Sequence, residues 1–167
     1  VNLSLDAAMA VKLLQGEDTD VRQRFRAALE TATVWISSIV VHELVTGALS
    51  SRRPVEHLEQ VDRLVERLQV AEFNCDDAFA AARLRADLEG HGRGIGALEA
   101  LVAGQALARD WVVATDNLAA FLRVDGLQVI DWTRSDQPID RAEMMARAMR
   151  LGPAELAQMM RREKEAK

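Results

Sequence analysis

Four carboxylates stand where an α/β chain can put acids to chemical use. Asp6 directly follows a short strand-like run, Asn2–Leu5, and Asp116 directly follows another, Trp111–Thr115. Glu43 lies about one helical turn beyond the β-branched run Val34–Ile39. Glu99 lies in the first turn of a helix that opens after the loop Gly94-Ile95-Gly96. In open parallel α/β sheets, ligands gather beyond the carboxyl ends of the strands. Asp6, Glu43 and Asp116 are therefore expected at one edge, with Glu99 reaching it from a helix N-terminus. Hard divalent cations such as Mg²⁺ take oxygen ligands. A pair of them about 3.5–4 Å apart can activate a water and stabilise the leaving oxygen of a phosphodiester. That chemistry asks for several carboxylates and no histidine or cysteine cluster. The chain has one cysteine, Cys75, and three histidines, His42, His57 and His91, without metal-ligand spacing.

The same acids have structural readings. Asp6 and Asp116 could cap helices, Glu99 could complement a helix dipole, and Glu43 could be a solvated helix residue. Two carboxylates about 5 Å apart repel by about 3 kcal/mol at an effective dielectric of about 20. Four acids converging without a cation would be a poor structural device. On the residues alone, a metal site and a set of structural acids both stay open.

The elements that must position these acids alternate along the chain. Strands are expected at Asn2–Leu5, Val34–Ile39, Val70–Phe73, Trp111–Thr115 and Leu127–Ile130. Helices are expected from Val11 to Gly16, from Asp18 or Thr19 to about Glu30, over Val41–Leu49, and from Pro54 along the stripe Val55, Leu58, Val61, Val65 and Leu68. Asp76 and Asp77 open a further helix that Gly90 closes, and a nearly all-apolar helix runs through Ala108. Strands separated by helices imply parallel pairing and a layered α/β sheet.

At 167 residues the chain fits one domain, with 49% apolar and 28% charged residues. The net charge of −5 argues against a general nucleic-acid coat. It leaves room for an enzyme that holds phosphates with local cations around an acidic site. The charge is uneven: residues 133–167 sum to +2 and residues 1–132 to −7. No run approaches the roughly 18 apolar residues of a membrane span. With a single cysteine and no signal-like segment, the expected setting is the reducing cytosol and Cys75 is expected to be a part-buried free thiol.

Taken together and in order, the motifs resemble those of the PIN-domain family, and within it the VapC-type toxins. Ser4-Leu5-Asp6-Ala7 is similar to the family's first acidic motif. The segment Ile36-Ser37-Ser38-Ile39-Val40-Val41-His42-Glu43-Leu44, with Gly47-Ala48, is similar to its second. Gly94-Ile95-Gly96-Ala97-Leu98-Glu99-Ala100-Leu101-Val102-Ala103 resembles the third, and Val113-Ala114-Thr115-Asp116-Asn117 with Phe121 the fourth. Val124 to Trp132 matches the family's usual close. The resemblance covers residues 1–132. It implies a PIN-like three-layer α/β/α fold with a central, mostly parallel five-stranded sheet. It also implies Mg²⁺- or Mn²⁺-dependent endonucleolytic cleavage of RNA, a homodimer, and inhibition by a small antitoxin protein. Asp6, Glu43, Glu99 and Asp116 would form the catalytic metal site, supported by Thr115 and Asn117.

The chain departs from the family pattern at three places. Many relatives carry Thr-Asn after the first Asp, where this chain has Ala7-Ala8. The third acid is usually Asp and here is Glu99. A tail follows Thr133, where such toxins commonly stop. The competing readings are a catalytically weak PIN-like module that binds an antitoxin or partner protein, favoured by Ala7-Ala8, and a DNA-directed nuclease on the same scaffold.

Other features complete the expectations. Arg93, in the glycine-bearing loop before Glu99, is the first candidate for an RNA phosphate contact, followed by Arg52 and Arg53, with Arg83 and Arg85 also considered. Each is otherwise a solvated arginine. Trp35, Trp111 and Trp132 are expected to pack in the core. With no tyrosine and 4% aromatics, a base-stacking platform is not expected. Residues 133–167 form a predicted helical extension, with helices near 140–150 and 153–164 broken at Gly152-Pro153. It holds five of the six methionines, an adaptable apolar face suited to protein contact.

Overall fold

Residues 1–142 are described by the computed structural model. Five strands form one sheet: β1 (Asn2–Leu5), β2 (Thr33–Ser37), β3 (Gln69–Ala71), β4 (Val112–Ala114) and β5 (Gln128–Ile130). Their order is β3-β2-β1-β4-β5, and each neighbouring pair is parallel. The reason is local. Helical segments separate successive strands, so each connection is a crossover and no hairpin can form. The chain works outward from β1 through β2 to β3, then returns to the far side of β1 for β4 and β5. The direction of winding therefore reverses beside β1, and a crevice is expected beyond the carboxyl ends of β1 and β4.

Leu3, Ser4 and Leu5 of β1 are buried, as are Val112, Val113 and Ala114 of β4. Successive side chains point to opposite faces, so burial of consecutive residues means that both faces are covered. The three-layer arrangement follows.

Most helices begin where a side-chain cap can form. Helix α1 (Ala7–Gln15) starts at Ala7 and not at Val11, because Asp6 accepts from the Met9 backbone N–H at 2.8 Å. Helix α2 (Thr19–Thr31) is capped by Asp18, which accepts from the Val21 N–H. Helix α3 (Ser38–Leu49) begins inside the run expected as strand. The Ser37 hydroxyl accepts from the Ile39 N–H and ends β2 there. Helix α4 (Pro54–Val65) carries its proline in the first turn. Helix α5 (Cys75–Gly90) opens with a capping box between Asn74 and Asp77. Helix α6 (Ala97–Ala108) is the nearly all-apolar one, and α7 (Leu118–Phe121) is a single turn.

Cys75 corrects an expectation: it is exposed, not part-buried. It follows the Asn74 cap in the first turn of α5, on the side turned to solvent. The tryptophans are structural as expected. Trp132 and Trp111 are buried, and Trp35 stacks on Trp111 at 4.9 Å between ring centroids. Helices α5 and α6 approach closely where α6 has no side chain. A Cβ on Gly104 would stand 2.4 Å from the Ala81 Cα.

One buried charge ties α5 to the end of α6. Asp77 is 2% exposed and accepts from Arg109 at 2.6 and 3.0 Å, from Gln105, and from the Asn74 N–H. Burial pushes its carboxyl up, but these donors outweigh burial and hold it below the usual carboxylate range. After β5 the chain returns to the body: Ile139 donates to the Val129 carbonyl, and Arg141 donates to the carbonyls of Leu122, Val124 and Leu127. The helices expected near 140–150 and 153–164 lie, beyond Ala142, outside the described residues.

Candidate active site

The sheet register builds the centre of the site. Leu5 is paired with Ala114 across β1 and β4, so the next residues, Asp6 and Thr115, emerge side by side at the crevice. The Asp6 backbone N–H donates to the Ala114 carbonyl. The Thr115 hydroxyl donates to Asp6 Oδ2 at 2.5 Å and accepts from the Asn117 N–H at 2.9 Å. Asp6 Oδ1 takes the Met9 N–H that starts α1. The cap reading of Asp6 and the site reading are thus both true. Asn117 contributes its backbone to this arrangement, and its side chain makes no cap bond to α7.

Asp6 is 4% exposed. Burial pushes its carboxyl up to about 7, against the opposing pull of the Thr115 and Met9 hydrogen bonds, and the charges of Asp116 and Glu43 add to the rise. Beside it opens a cleft of about 510 Å³ lined by Ala7, Ala8, Lys12, Glu43, Glu99 and Asp116, among others. The four predicted acids therefore do gather at one edge. Burial raises the Glu43 carboxyl above its ordinary value, the Glu99 charge raises it further, and His42 opposes both. Glu99 folds back over the start of its own helix. A Cβ on Gly96 would stand 2.0 Å from Glu99 Oε2, so glycine at that position leaves room for the carboxylate.

Among the described residues, no group of three acidic, histidine or cysteine side chains is arranged to hold a metal ion. Glu99 is turned onto Gly96, and Asp116 is paired with Lys12 Nζ at 3.3 Å. The donor chemistry nevertheless suits a hard cation. Each is a carboxylate, each Asp6 oxygen accepts one hydrogen bond and keeps lone-pair capacity, and a cation beside Asp6 would favour its ionised form against burial.

The arginines fall elsewhere. Arg93 is held by Asp125 at 2.9 Å, with Asp87 at 4.0 Å, and does not line the cleft. Arg52 is exposed in the turn before α4. Arg53 is paired with Glu56 at 3.1 Å and lines a second groove of about 450 Å³. That groove shares Val11, Gln15, Glu43 and Leu44 with the acidic cleft, so the two are continuous. Arg83 is exposed on α5, and Arg85 is paired there with Glu89. Sequence reasoning missed Lys12, the one cation lining the acidic cleft among the described residues. The available signal was a lysine in the last turn of the helix that Asp6 begins.

The PIN domain family model matches residues 4–127. The tRNA(fMet)-specific endonuclease VapC of Salmonella typhimurium is 33% identical over 128 residues, covering 77% of this chain and 96% of that protein. Ribonuclease VapC2 of Rickettsia felis is 27% identical over 130 residues, covering 78% and 97%. The structure of DNA-bound VapBC from Salmonella typhimurium superposes with a TM-score of 0.74 at 30% identity, covering 79% of this chain and 98% of that one. The cleft at the β1–β4 crevice, the order of its acids and these likenesses agree: the chain belongs to the PIN-domain family, to its VapC type.

Proposed function

We propose that this protein is a metal-dependent endoribonuclease, the toxin of a toxin–antitoxin pair. The observation that carries the reading is the buried Asp6–Thr115 pair beside a cleft lined by Glu43, Glu99 and Asp116. In this reading Asp6, Glu43, Glu99 and Asp116 hold Mg²⁺ or Mn²⁺. A divalent cation held there would supply the chemistry of a Lewis acid, lowering the pKa of a water and offsetting charge on the phosphate. The chain's own residues supply the rest. Thr115 and the Met9 N–H fix both Asp6 oxygens, so that the carboxylate meets a cation without losing time or entropy to rotation. Gly96, without a side chain, leaves room for the Glu99 carboxylate beside its own helix start. The catalytic unit is residues 1–132, with 133–167 an extension. Arg93, Arg52 and Arg53 are surface contacts for the RNA chain, and Arg93 must exchange Asp125 for a phosphate to serve. The protein works as a homodimer in the cytoplasm and is held inactive by a small antitoxin. Support for the partner comes from the VapBC complexes to which the chain is similar. Among the described residues, no helix is long and apolar enough to cross a membrane.

A second reading is favoured by Ala7 and Ala8, which line the cleft with methyl groups only. On it the protein binds its partner and turns over little. Cleavage of single-stranded RNA and DNA oligonucleotides, with Mg²⁺, Mn²⁺ or EDTA, separates the possibilities. The nuclease reading expects RNA cut in either metal, no cutting in EDTA, and loss of cutting in Asp6→Asn and Asp116→Asn. A folded wild type that leaves RNA intact in both metals would leave the binding module standing.

A further inference from the structure

Lys12 reaches into the acidic cleft from α1. It lies in the last turn of α1, with its side chain about one-third exposed at 35%, and reaches Asp116 at 3.3 Å. Asp116 is itself 22% exposed, so the pair stands at the rim in partial contact with water. Among the described lining residues it is the sole cation facing Glu43, Glu99 and Asp116. The arginines that could approach a phosphate lie outside this lining, and Arg93 and Arg53 are already paired with Asp125 and Glu56. A lysine is a compact charge on a flexible four-carbon stem, able to change partners with little loss.

We propose that Lys12 is an exchangeable counter-cation: it neutralises Asp116 while the acids stand alone, and passes to an RNA phosphate when a divalent cation takes Asp116. The inference rests on the metal-dependent reading of the cleft given above. It accounts for the pairing of Asp116 with Lys12 at the rim of the cleft. On the nuclease reading the cleft, acidic as it is, must admit a polyanion, and a cation released at its rim would offset that repulsion where the phosphates enter.

Two measurements on the full chain test the exchange. In the first, MnCl₂ is titrated calorimetrically into wild type, Lys12→Met, Asp116→Asn and the double variant. Lys12→Met should bind Mn²⁺ about two- to fivefold more tightly, the span set by a part-exposed ion pair. That gain should vanish in the Asp116→Asn background. In the second, binding of a fluorescent single-stranded RNA is followed against salt in Ca²⁺, with the RNA checked for integrity. The slope of log affinity against log salt should fall by about 0.7 in Lys12→Met, and Lys12→Arg should restore it. In EDTA, with Lys12 retained by Asp116, wild type and Lys12→Met should show the same slope. Circular dichroism checks that each variant is folded. An unchanged Mn²⁺ affinity, a gain that persists without Asp116, or an unchanged salt slope in Ca²⁺ overturns the exchange while leaving the metal site intact. A wild type that binds no Mn²⁺ overturns the metal reading and the exchange together.

Discussion

The Thr115 hydroxyl donates to Asp6 Oδ2 across 109 residues of sequence. The bond is short at 2.5 Å, wholly buried, and set by the pairing of Leu5 with Ala114 one step earlier in each strand. Replacing Thr115 by Val keeps the shape and removes the donor. A buried acceptor left without its partner costs about 1–3 kcal/mol, so Thr115→Val should unfold at lower urea by that amount. Thr115→Ser should recover most of it. Equal stability of Val and Ser variants would show that the bond contributes nothing.

The raised Asp6 carboxyl makes a pH prediction for the metal-free protein. Its folded value is about 7 and its ordinary value 3.8. Between those values the folded state holds a proton that the unfolded state has lost. Stability contributed by this group is therefore greatest below about pH 4 and is lost as pH rises toward 7. The effect is on the order of a few kcal/mol. Asp6→Asn should be more stable than wild type at pH 8 in EDTA, and the difference should shrink by pH 5. Urea melts at the two pH values check it. A constant difference would mean that Asp6 titrates normally.

Asp77 works in the opposite sense. Its carboxyl is held down mainly by Arg109, against burial. Its contribution is present above the ordinary carboxylate range and is lost as pH falls through its depressed folded value. Arg109→Met removes the main partner of a buried charge, and with it the guanidinium that lies over the Trp111 ring. Breaking a buried pair from one side costs about 3–5 kcal/mol. The expected loss lies nearer 2–3 kcal/mol, since Gln105 and the Asn74 N–H remain and Arg109 is partly exposed. Arg109→Met with Asp77→Asn should restore part of it. A single variant as stable as wild type would remove Asp77 from the account of how α5 and α6 are joined.

Gly104 tests the α5–α6 contact. An added methyl would meet Ala81 backbone atoms at 2.4 and 2.7 Å, which cannot rotate away. Gly104→Ala should destabilise by about 1–3 kcal/mol through overpacking, although alanine is the better helix former by about 1 kcal/mol. Gly47→Ala, on α3 with open space around its Cβ, is the control and should stabilise. Stabilisation at both positions would show that the helices part freely.

The alternation of elements and the motif order were legible in the sequence because they are local. Asp18 and the pair Asp76-Asp77 announce helix starts. Gly16 ends α1 at a φ of 69° that glycine adopts without strain. The order of strands and helices allowed only crossovers, which made the sheet parallel. Even the four acids could be assigned to one edge, since each follows a strand end or opens a helix near one. The sequence also misled where two local signals competed: β-branched Ile39 continued the strand pattern, but the Ser37 cap turned the chain into α3 two residues earlier.

What the tertiary structure alone decided are the pairings between residues far apart in the chain. The register of β1 on β4 put Thr115 on Asp6, and the same meeting of α1 with the loop after β4 put Lys12 on Asp116. Arg93, expected as the first RNA contact because its loop precedes Glu99, is paired with Asp125, 32 residues away in the chain. Residue type fixes what each group can bond, and local pattern fixes the helix or strand that carries it. Which partner it meets depends on how strands with no sequence proximity register and how helices then pack on them, and no local rule contains that information.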